Sequence, residues 1–154
     1  MRLTILSPGK VRETWLQAGI DEYVRRLSRY CQVSLVTVDD VPDSWPTAKA
    51  LAEESHRLLS RIRPQTYVVA LDLRGDQPDS PELARRLPDW LQAGGSEVCF
   101  VIGGSNGLAP AVLERAQARL CLSRLTFTHQ MTRLILLEQC YRAFKIQSGE
   151  PYHK

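Results

Sequence analysis

Residues 98–108, VCFVIGGSNGL, are the stretch around which the rest of the chain is interpreted. The β-branched and aromatic run breaks abruptly into Gly103, Gly104 and Gly107, which predicts a buried strand that ends in a glycine-rich turn. Ligands of open α/β sheets bind just past such strand ends. The turn matches neither GxGxxG nor the lysine-ending phosphate loop, so we expect a backbone-lined pocket for a ligand other than a pyrophosphate. The alternative is an ordinary turn whose glycines supply positive φ angles.

Length and composition are those of one ordinary globular domain covering residues 1–154. The chain is 44% hydrophobic and 24% charged. No apolar run approaches the ~18 residues of a membrane span, and the first ten residues contain too short an apolar run for a signal peptide. We therefore expect a cytoplasmic protein without a membrane segment.

Cysteines, histidines and net charge point to no metal site and give little support to nucleic-acid binding. The four cysteines form no CxxC, and the three histidines are scattered. Both disulfide and zinc interpretations therefore fail. A net charge of +3 is too small to argue for a nucleic-acid partner by itself.

Strand-like and helix-like segments alternate five times along the chain. The predicted strands are residues 2–6, 32–38, 66–71, 97–102 and 119–122, with helices between them. Thr47 and Ser80 are predicted to cap the second and third helices. Alternation of this kind predicts an α/β fold, a single-domain mostly parallel sheet with helices on both faces.

The last predicted helix, residues 131–146, is apolar over most of its surface. Such a wide stripe indicates burial on more than one side, so we infer a second subunit related by a two-fold axis. Arg133 in this helix needs a partner or solvent because an isolated buried charge is costly. Glu138 and Arg142 have the spacing of a helical ion pair. His129 lies where the helix begins, where the helix dipole disfavours its protonation.

Four segments together resemble a known family. VIGGSNGL at 101–108, LSRLTFTHQMTR at 122–133 and LEQCYRAFKIQSGEPYHK at 137–154, with ALDLRG at 70–75, are similar to the SPOUT-class ribosomal RNA methyltransferases. The resemblance covers the whole chain. It is closest to the small single-domain bacterial family whose members methylate N3 of a pseudouridine in large-subunit (23S) ribosomal RNA.

This resemblance implies a fold and a cofactor. Members have a C-terminal deep trefoil knot, bind S-adenosylmethionine inside it without a metal, and act as homodimers on ribosomal RNA, here expected within the assembled ribosome. General topology rules predict the opposite, because knots are nearly absent among folds. The positions that match the family's donor-binding residues are Leu71, Leu73, Gly103, Gly104, Ser123, Arg124, Leu125, Thr126, Phe127 and Thr128.

The resemblance also assigns residues to the reacting base and its RNA. The catalytic candidates are His129, Arg133, Arg142 and His153, and the RNA-binding candidates are Arg133, Arg142, Tyr152 and His153. In this interpretation His153 or His129 takes the imide proton, while the two arginines stabilise charge and hold phosphate. The alternatives are a structural ion pair of the arginines with Glu138 and a frayed, functionless tail. Thr128 stands where the family has proline, and a threonine there can cap the helix instead.

Two other functions remain open at this point. A flavodoxin-like nucleotide or flavin binder shares the alternation of strands and helices, but it needs a phosphate-binding turn after its first strand. The chain has only SPGK, residues 7–10, at that place. A non-catalytic ribosome-binding factor of the same fold would keep the basic residues without a donor pocket.

Overall fold

The sheet has five strands. In the computed structural model, which describes residues 1–154, they are β1 (Arg2–Pro8), β2 (Gln32–Val38), β3 (Tyr67–Asp76), β4 (Glu97–Val101) and β5 (Ala118–Leu120). Their order in the sheet is β2-β1-β4-β3-β5, and every neighbouring pair is parallel. The predicted α/β fold with a mostly parallel sheet is confirmed.

The strand order excludes one of the alternatives. A flavodoxin-like sheet has the order 2-1-3-4-5, whereas β4 of this chain lies between β1 and β3. The flavodoxin-like interpretation is therefore wrong.

Five helices cover both faces of the sheet, as predicted. They are α1 (Thr14–Leu27), α2 (Thr47–Leu59), α3 (Ser80–Ala93), α4 (Pro110–Arg115) and α5 (His129–Gln147). A core of 21 buried residues, with Phe100 among them, lies under α1, α3 and α5. A smaller core of seven lies under α2 and α4 on the other face. No helix combines the length and the apolar character needed to span a bilayer.

Helix α5 packs against α1 and α3, which cover it on two sides. Leu136, Leu137 and Cys140 are buried there. Gly19 of α1 allows a close approach, since a Cβ at that position would lie 3.3 Å from the methyl carbons of Leu134. The wide apolar surface of α5 is thus largely explained within one chain. Its width alone does not require a second subunit.

A proline within α3 creates the docking point for the end of α5. Pro88 has no N–H, so the carbonyl of Ala84 lacks its usual helical donor. Gln147 Nε2 donates to this carbonyl at 2.9 Å. The hydrogen bond that Pro88 removes from within α3 is therefore replaced by one between α3 and α5.

The predicted N-caps of α2 and α3 are each wrong by one residue. Asp79, not Ser80, caps α3: its carboxylate accepts the Glu82 N–H at 2.8 Å, and Glu82 accepts the Asp79 N–H at 2.9 Å. This pair of reciprocal hydrogen bonds is a capping box, in which Glu82 is the acid at the third helical position. Taking Ser80 as the cap leaves out the role of Glu82. In α2, Pro46 is the N-cap and Thr47 is already helical, with no side-chain cap.

Strand β3 continues past its predicted end. It runs to Asp76 because the pairing with β5 shifts register, so that Leu71 and Asp76 both face Leu120. Gly75 permits the close approach, since a Cβ there would lie 2.6 Å from the backbone of Arg119. The extension brings residues 71–73 to the same edge of the sheet as the glycine turn.

Candidate active site

A cavity of about 960 Å³ lies at the carboxyl ends of β3, β4 and β5. Three segments form most of its wall: residues 71–73 after the buried part of β3, residues 102–107 after β4, and residues 120–132, which lead from β5 into α5. The start of α1 closes one side through Trp15 and Leu16. Segments distant in sequence therefore meet around one space.

The glycine turn after β4 is tight enough to require glycine. A Cβ on Gly103 would lie 2.5 Å from the carbonyl oxygen of Gly107. Gly107 has a φ of +77°, and its N–H donates to the Gly104 carbonyl at 3.0 Å. A side chain at Gly103 would have to open this turn, because the obstacle is backbone.

The loop before α5 is stabilised by its own hydroxyl groups. Ser123 Oγ accepts the Leu125 N–H at 3.0 Å. Thr128 is the N-cap of α5, and its Oγ1 accepts the Met131 N–H at 3.2 Å. The expectation that threonine at this position caps the helix is confirmed.

Nine of the ten predicted donor-binding residues line this cavity. They are Leu71, Leu73, Gly103, Gly104, Ser123, Leu125, Thr126, Phe127 and Thr128. Arg124 is the exception: it is exposed and lies outside the cavity wall.

His129 is the one catalytic candidate that lines the cavity. It is half-buried at the first position of α5. Burial, and then the positive charge of Arg133, lower the pKa of His129, while Asp40 opposes them. The imidazole is therefore neutral at physiological pH and able to accept a proton.

Arg133 is buried and faces away from the cavity. Its Nη2 donates to the carbonyl oxygens of Pro8 at 2.6 Å and Gly9 at 2.9 Å, at the end of β1. Its Nε has no hydrogen-bond partner. Within the chain Arg133 makes no ion pair with Glu138, whereas Arg142 does.

Arg142, Tyr152 and His153 form a cluster around Glu138 near the end of the chain. Arg142 pairs with Glu138, and Tyr152 Oη donates to the same carboxylate at 3.0 Å. The Arg142 guanidinium lies 4.7 Å from the centroid of the Tyr152 ring, and His153 Nδ1 is 3.4 Å from Arg142 Nη1. The tail is held against α5, which argues against the frayed-tail alternative.

The two arginines lie in different places. Nine residues of helix separate Arg133 from Arg142, which corresponds to about 13.5 Å along the axis and opposite faces. His153 lines a smaller neighbouring cavity, and four residues are shared between the two cavities: Leu120, Cys121, Leu122 and Phe127. Within one chain, Arg133 and Arg142 do not reach a common small ligand.

Glu54 and Trp15 lie near the site and were not predicted there, whereas Asp72 lies in the ALDLRG segment, residues 70–75, that contributes to the resemblance. Glu54 of α2 is buried against the glycine turn. Asp72 lines the cavity, and its Oδ2 is buried without a hydrogen bond. Trp15 of α1 also lines the cavity and is 58% exposed. Apolar periodicity carries no signal for a buried carboxylate, and it does not distinguish a tryptophan in the core from one at a cavity.

The side chains of the site do not form a metal centre. No group of three His, Cys, Asp or Glu side chains is arranged to hold a metal ion. All four cysteines are free and buried. Burial raises the pKa of the Cys31 thiol to about 11 and that of Cys99 to about 12, so neither is an activated nucleophile.

Solved structures with this fold are known, and one of them illustrates the match. A crystal structure of a probable methyltransferase from Bordetella pertussis Tohama I matches with a TM-score of 0.55 and 19% identity, covering 92% of this chain and 95% of that one. At this identity the likeness supports the fold alone.

Sequence comparison identifies closer relatives over the full length. A protein named ribosomal RNA large subunit methyltransferase H from Acetivibrio thermocellus is 47% identical over 159 residues, with both chains fully covered. One of the same name from Clostridium botulinum strain Alaska E43 is 45% identical, again with full coverage of both. The family model described as "Predicted SPOUT methyltransferase" matches residues 1–153. The chain therefore belongs to the SPOUT methyltransferase family.

Proposed function

We propose that this chain transfers a methyl group from S-adenosylmethionine to N3 of a pseudouridine in 23S ribosomal RNA, within the assembled ribosome in the cytoplasm. The observation that carries the proposal is the cavity, which is lined by nine of the ten residues that match the family's donor-binding positions. The names of the relatives support large-subunit ribosomal RNA as the substrate.

The chemistry of the cavity wall fits this donor. Leu71, Leu73 and Phe127 offer apolar surface for an adenine ring, and the glycine turn offers backbone groups for its edge. Asp72 Oδ2 is a buried acceptor without a hydrogen bond, with Arg119 Nη1 3.9 Å away. Such an acceptor suits a ribose hydroxyl or an ammonium group. The bound donor would supply an electrophilic methyl group, which needs neither a metal nor a covalent nucleophile.

The protein's own contribution is positioning and proton acceptance. The acceptor N3–H is an imide, which must lose its proton before the nitrogen attacks. We assign this proton to His129, because it lines the cavity and its lowered pKa leaves the ring neutral. His153 is the alternative base, placed beside Arg142. Holding the two reactants in line accounts for most of the rate enhancement expected of such a site.

The separation of the candidate groups supports a homodimer. A site that uses the donor cavity together with Arg142, Tyr152 and His153 would take these residues from a second copy, because none of the three lines the donor cavity of its own chain and His153 lines the neighbouring one. Trp15, Leu73 and Leu125 are all exposed and all line the cavity. An apolar rim of this kind is suited to burial against a second subunit.

In this arrangement, Arg142 with Tyr152 and His153 contacts the RNA. A guanidinium beside an aromatic ring is suited to phosphate contact and base stacking. Arg133 supports the site from the end of β1, where it holds two carbonyl groups. We further propose that the segments from residue 102 to α5 form the family's deep trefoil knot, which would fix the three walls of the cavity relative to one another.

The experiment combines donor binding with product identification. Calorimetry measures binding of S-adenosylmethionine to the purified chain, and light scattering measures its mass. Transfer of a labelled methyl group is assayed on intact ribosomes, isolated large subunits and free 23S RNA, and the labelled nucleoside is identified by mass spectrometry. We expect micromolar donor binding, a dimer, and N3-methylpseudouridine formed on ribosomes. Ribosome binding without donor binding would overturn the proposal in favour of a non-catalytic factor.

A further inference from the structure

Helix α2 contains one buried carboxylate, and the proposed reaction does not use it. Glu54 is 9% exposed and is the only Asp or Glu among the buried residues. Its neighbours on α2 do not neutralise it: Arg57 pairs with Glu53 and donates to the backbone carbonyls of Asp39 and Asp40. A buried charge without an ion-pair partner normally destabilises a fold, so its position calls for an explanation.

The carboxylate is in direct contact with the glycine turn. Glu54 Oε1 accepts the Gly104 N–H at 3.1 Å. A Cβ on Gly104 would lie 3.0 Å from Glu54 Oε2, so the turn packs closely on the carboxylate. Gly104 also lines the donor cavity. One residue of the turn therefore separates Glu54 from the space assigned to the donor.

The surroundings of Glu54 are polar and of mixed charge. A second cavity, of about 680 Å³, lies on this side of the turn. Its charged or titratable lining side chains are Arg12, Asp40, Asp43, Glu54 and His129. Burial raises the pKa of Glu54, the Gly104 hydrogen bond lowers it, Asp40 raises it and Arg57 lowers it.

From this geometry we infer that Glu54 is a positioning residue of the donor site, whose carboxylate holds the Gly104 peptide so that the turn keeps the shape of the cavity wall. The inference rests on the proposed function in one respect, namely that this cavity holds S-adenosylmethionine. It adds a residue that touches neither the donor nor the base and acts through the backbone of the turn.

Two substitutions separate the hydrogen bond from the charge. Glu54→Ala removes the acceptor and leaves the Gly104 N–H without its partner. Glu54→Gln keeps an acceptor oxygen of the same reach and removes the charge. Glu53→Gln is the matched control, since Glu53 is the preceding residue on α2 and is only partly buried.

Donor affinity is measured by calorimetry with S-adenosylmethionine and with S-adenosylhomocysteine, which lacks the methyl group and the positive charge on sulfur. We expect Glu54→Ala to weaken both ligands about tenfold, and equally, because the turn is displaced for both. Glu54→Gln is expected to stay within about threefold of the natural chain, and Glu53→Gln to be unchanged. A loss of affinity confined to S-adenosylmethionine would overturn the inference and assign Glu54 a direct electrostatic role.

A second readout does not depend on the donor. In ¹⁵N-labelled protein, the Gly104 amide resonance is followed with pH in the natural chain and in Glu54→Gln. We expect it to titrate with the Glu54 carboxyl group in the natural chain and to lose this titration in the variant. Asp40, Asp43 and His129 line the same cavity and are retained in Glu54→Gln, so only a response of the Gly104 resonance that is lost in the variant is assigned to Glu54.

Thermal unfolding shows whether a variant loses donor binding only because it fails to fold. Because the fold disfavours the Glu54 charge, we expect Glu54→Gln to unfold at the same or a higher temperature at neutral pH. If the natural chain binds no donor but Gly104 still titrates, the proposed function fails while the Gly104–Glu54 contact stands. If Glu54→Ala binds the donor like the natural chain, or Gly104 does not titrate, the positioning role is refuted.

Discussion

Replacing Arg133 with methionine tests whether this buried guanidinium stabilises the fold or acts only on a substrate. Methionine retains much of the apolar stem but removes both hydrogen bonds to the carbonyls of Pro8 and Gly9. A hydrogen bond from a charged donor contributes about 1.5–3 kcal/mol. The lower end applies because removing a buried cation also removes its desolvation penalty. Two such bonds give a loss of about 3 kcal/mol, or a fall in Tm of about 6–12 °C.

The measurement is urea unfolding followed by circular dichroism, at one fixed protomer concentration because association would add to the apparent stability. Arg85→Met is the control: Arg85 is exposed on α3 and makes no hydrogen bond or ion pair within the chain, so we expect a change below about 0.5 kcal/mol. If Arg133→Met unfolds within about 0.5 kcal/mol of the natural chain and yet loses methyl transfer, the structural role derived from these contacts is refuted.

Three further predictions concern the cavity wall and α5. Gly103→Ala places a Cβ 2.5 Å from the Gly107 carbonyl oxygen, so calorimetry is expected to show donor affinity reduced at least about tenfold with an unchanged circular dichroism spectrum; unaltered affinity would contradict the described turn. Thr128→Ala removes the cap on Met131 and should lower the free energy of unfolding by about 1 kcal/mol in urea titrations, whereas Thr128→Ser should not. The pKa of His129 is lowered in the folded state, so the unfolded chain binds the proton more readily. The stability linked to His129 is therefore complete above its ordinary pKa of 6.5 and declines as the pH falls through that value. Unfolding profiles of the natural chain and His129→Gln that stay parallel from pH 7.5 to pH 5 would refute this.

The regular parts of the fold were predictable because their signals are local. The strand at residues 32–38 and the starts of the first and fourth strands agree with the structure. Alternation of strand and helix gave the parallel sheet and the helices on both of its faces. The end of β3 was not predictable, because its extension to Asp76 depends on a shifted pairing with β5, a strand far along the chain.

The buried face of α2 shows why side-chain polarity misleads near a site. On α2 the alanines Ala48 and Ala52 are exposed, while Ala50 and Glu54 are buried. The buried Glu54 carboxylate accepts a hydrogen bond from the backbone of the glycine turn. A rule that counts hydrophobic residues assigns every glutamate to solvent, so it fails where a polar group is buried to make a specific contact.

The residues that line the cavity were predictable, whereas the contacts of the catalytic candidates were not. The resemblance named residues individually, and nine of the ten assigned to the donor share one cavity. Their spacing of nine positions within the predicted helix 131–146 places Arg133 and Arg142 on opposite faces, but the resemblance alone could not indicate this. Nor could it indicate that Arg133 contacts the end of β1.

The position of β1 inside the sheet has a consequence for synthesis of the chain. Arg2 pairs with Gln32 on one side and with Glu97 on the other. During translation β1 and β2 emerge early, but the second edge of β1 has no partner until residues 97–101 leave the exit tunnel. Unpaired strand edges promote association between chains. Products truncated before residue 97 are therefore expected to aggregate through β1. Chains still being translated are expected to be most prone to the same association before residues 97–101 have left the exit tunnel.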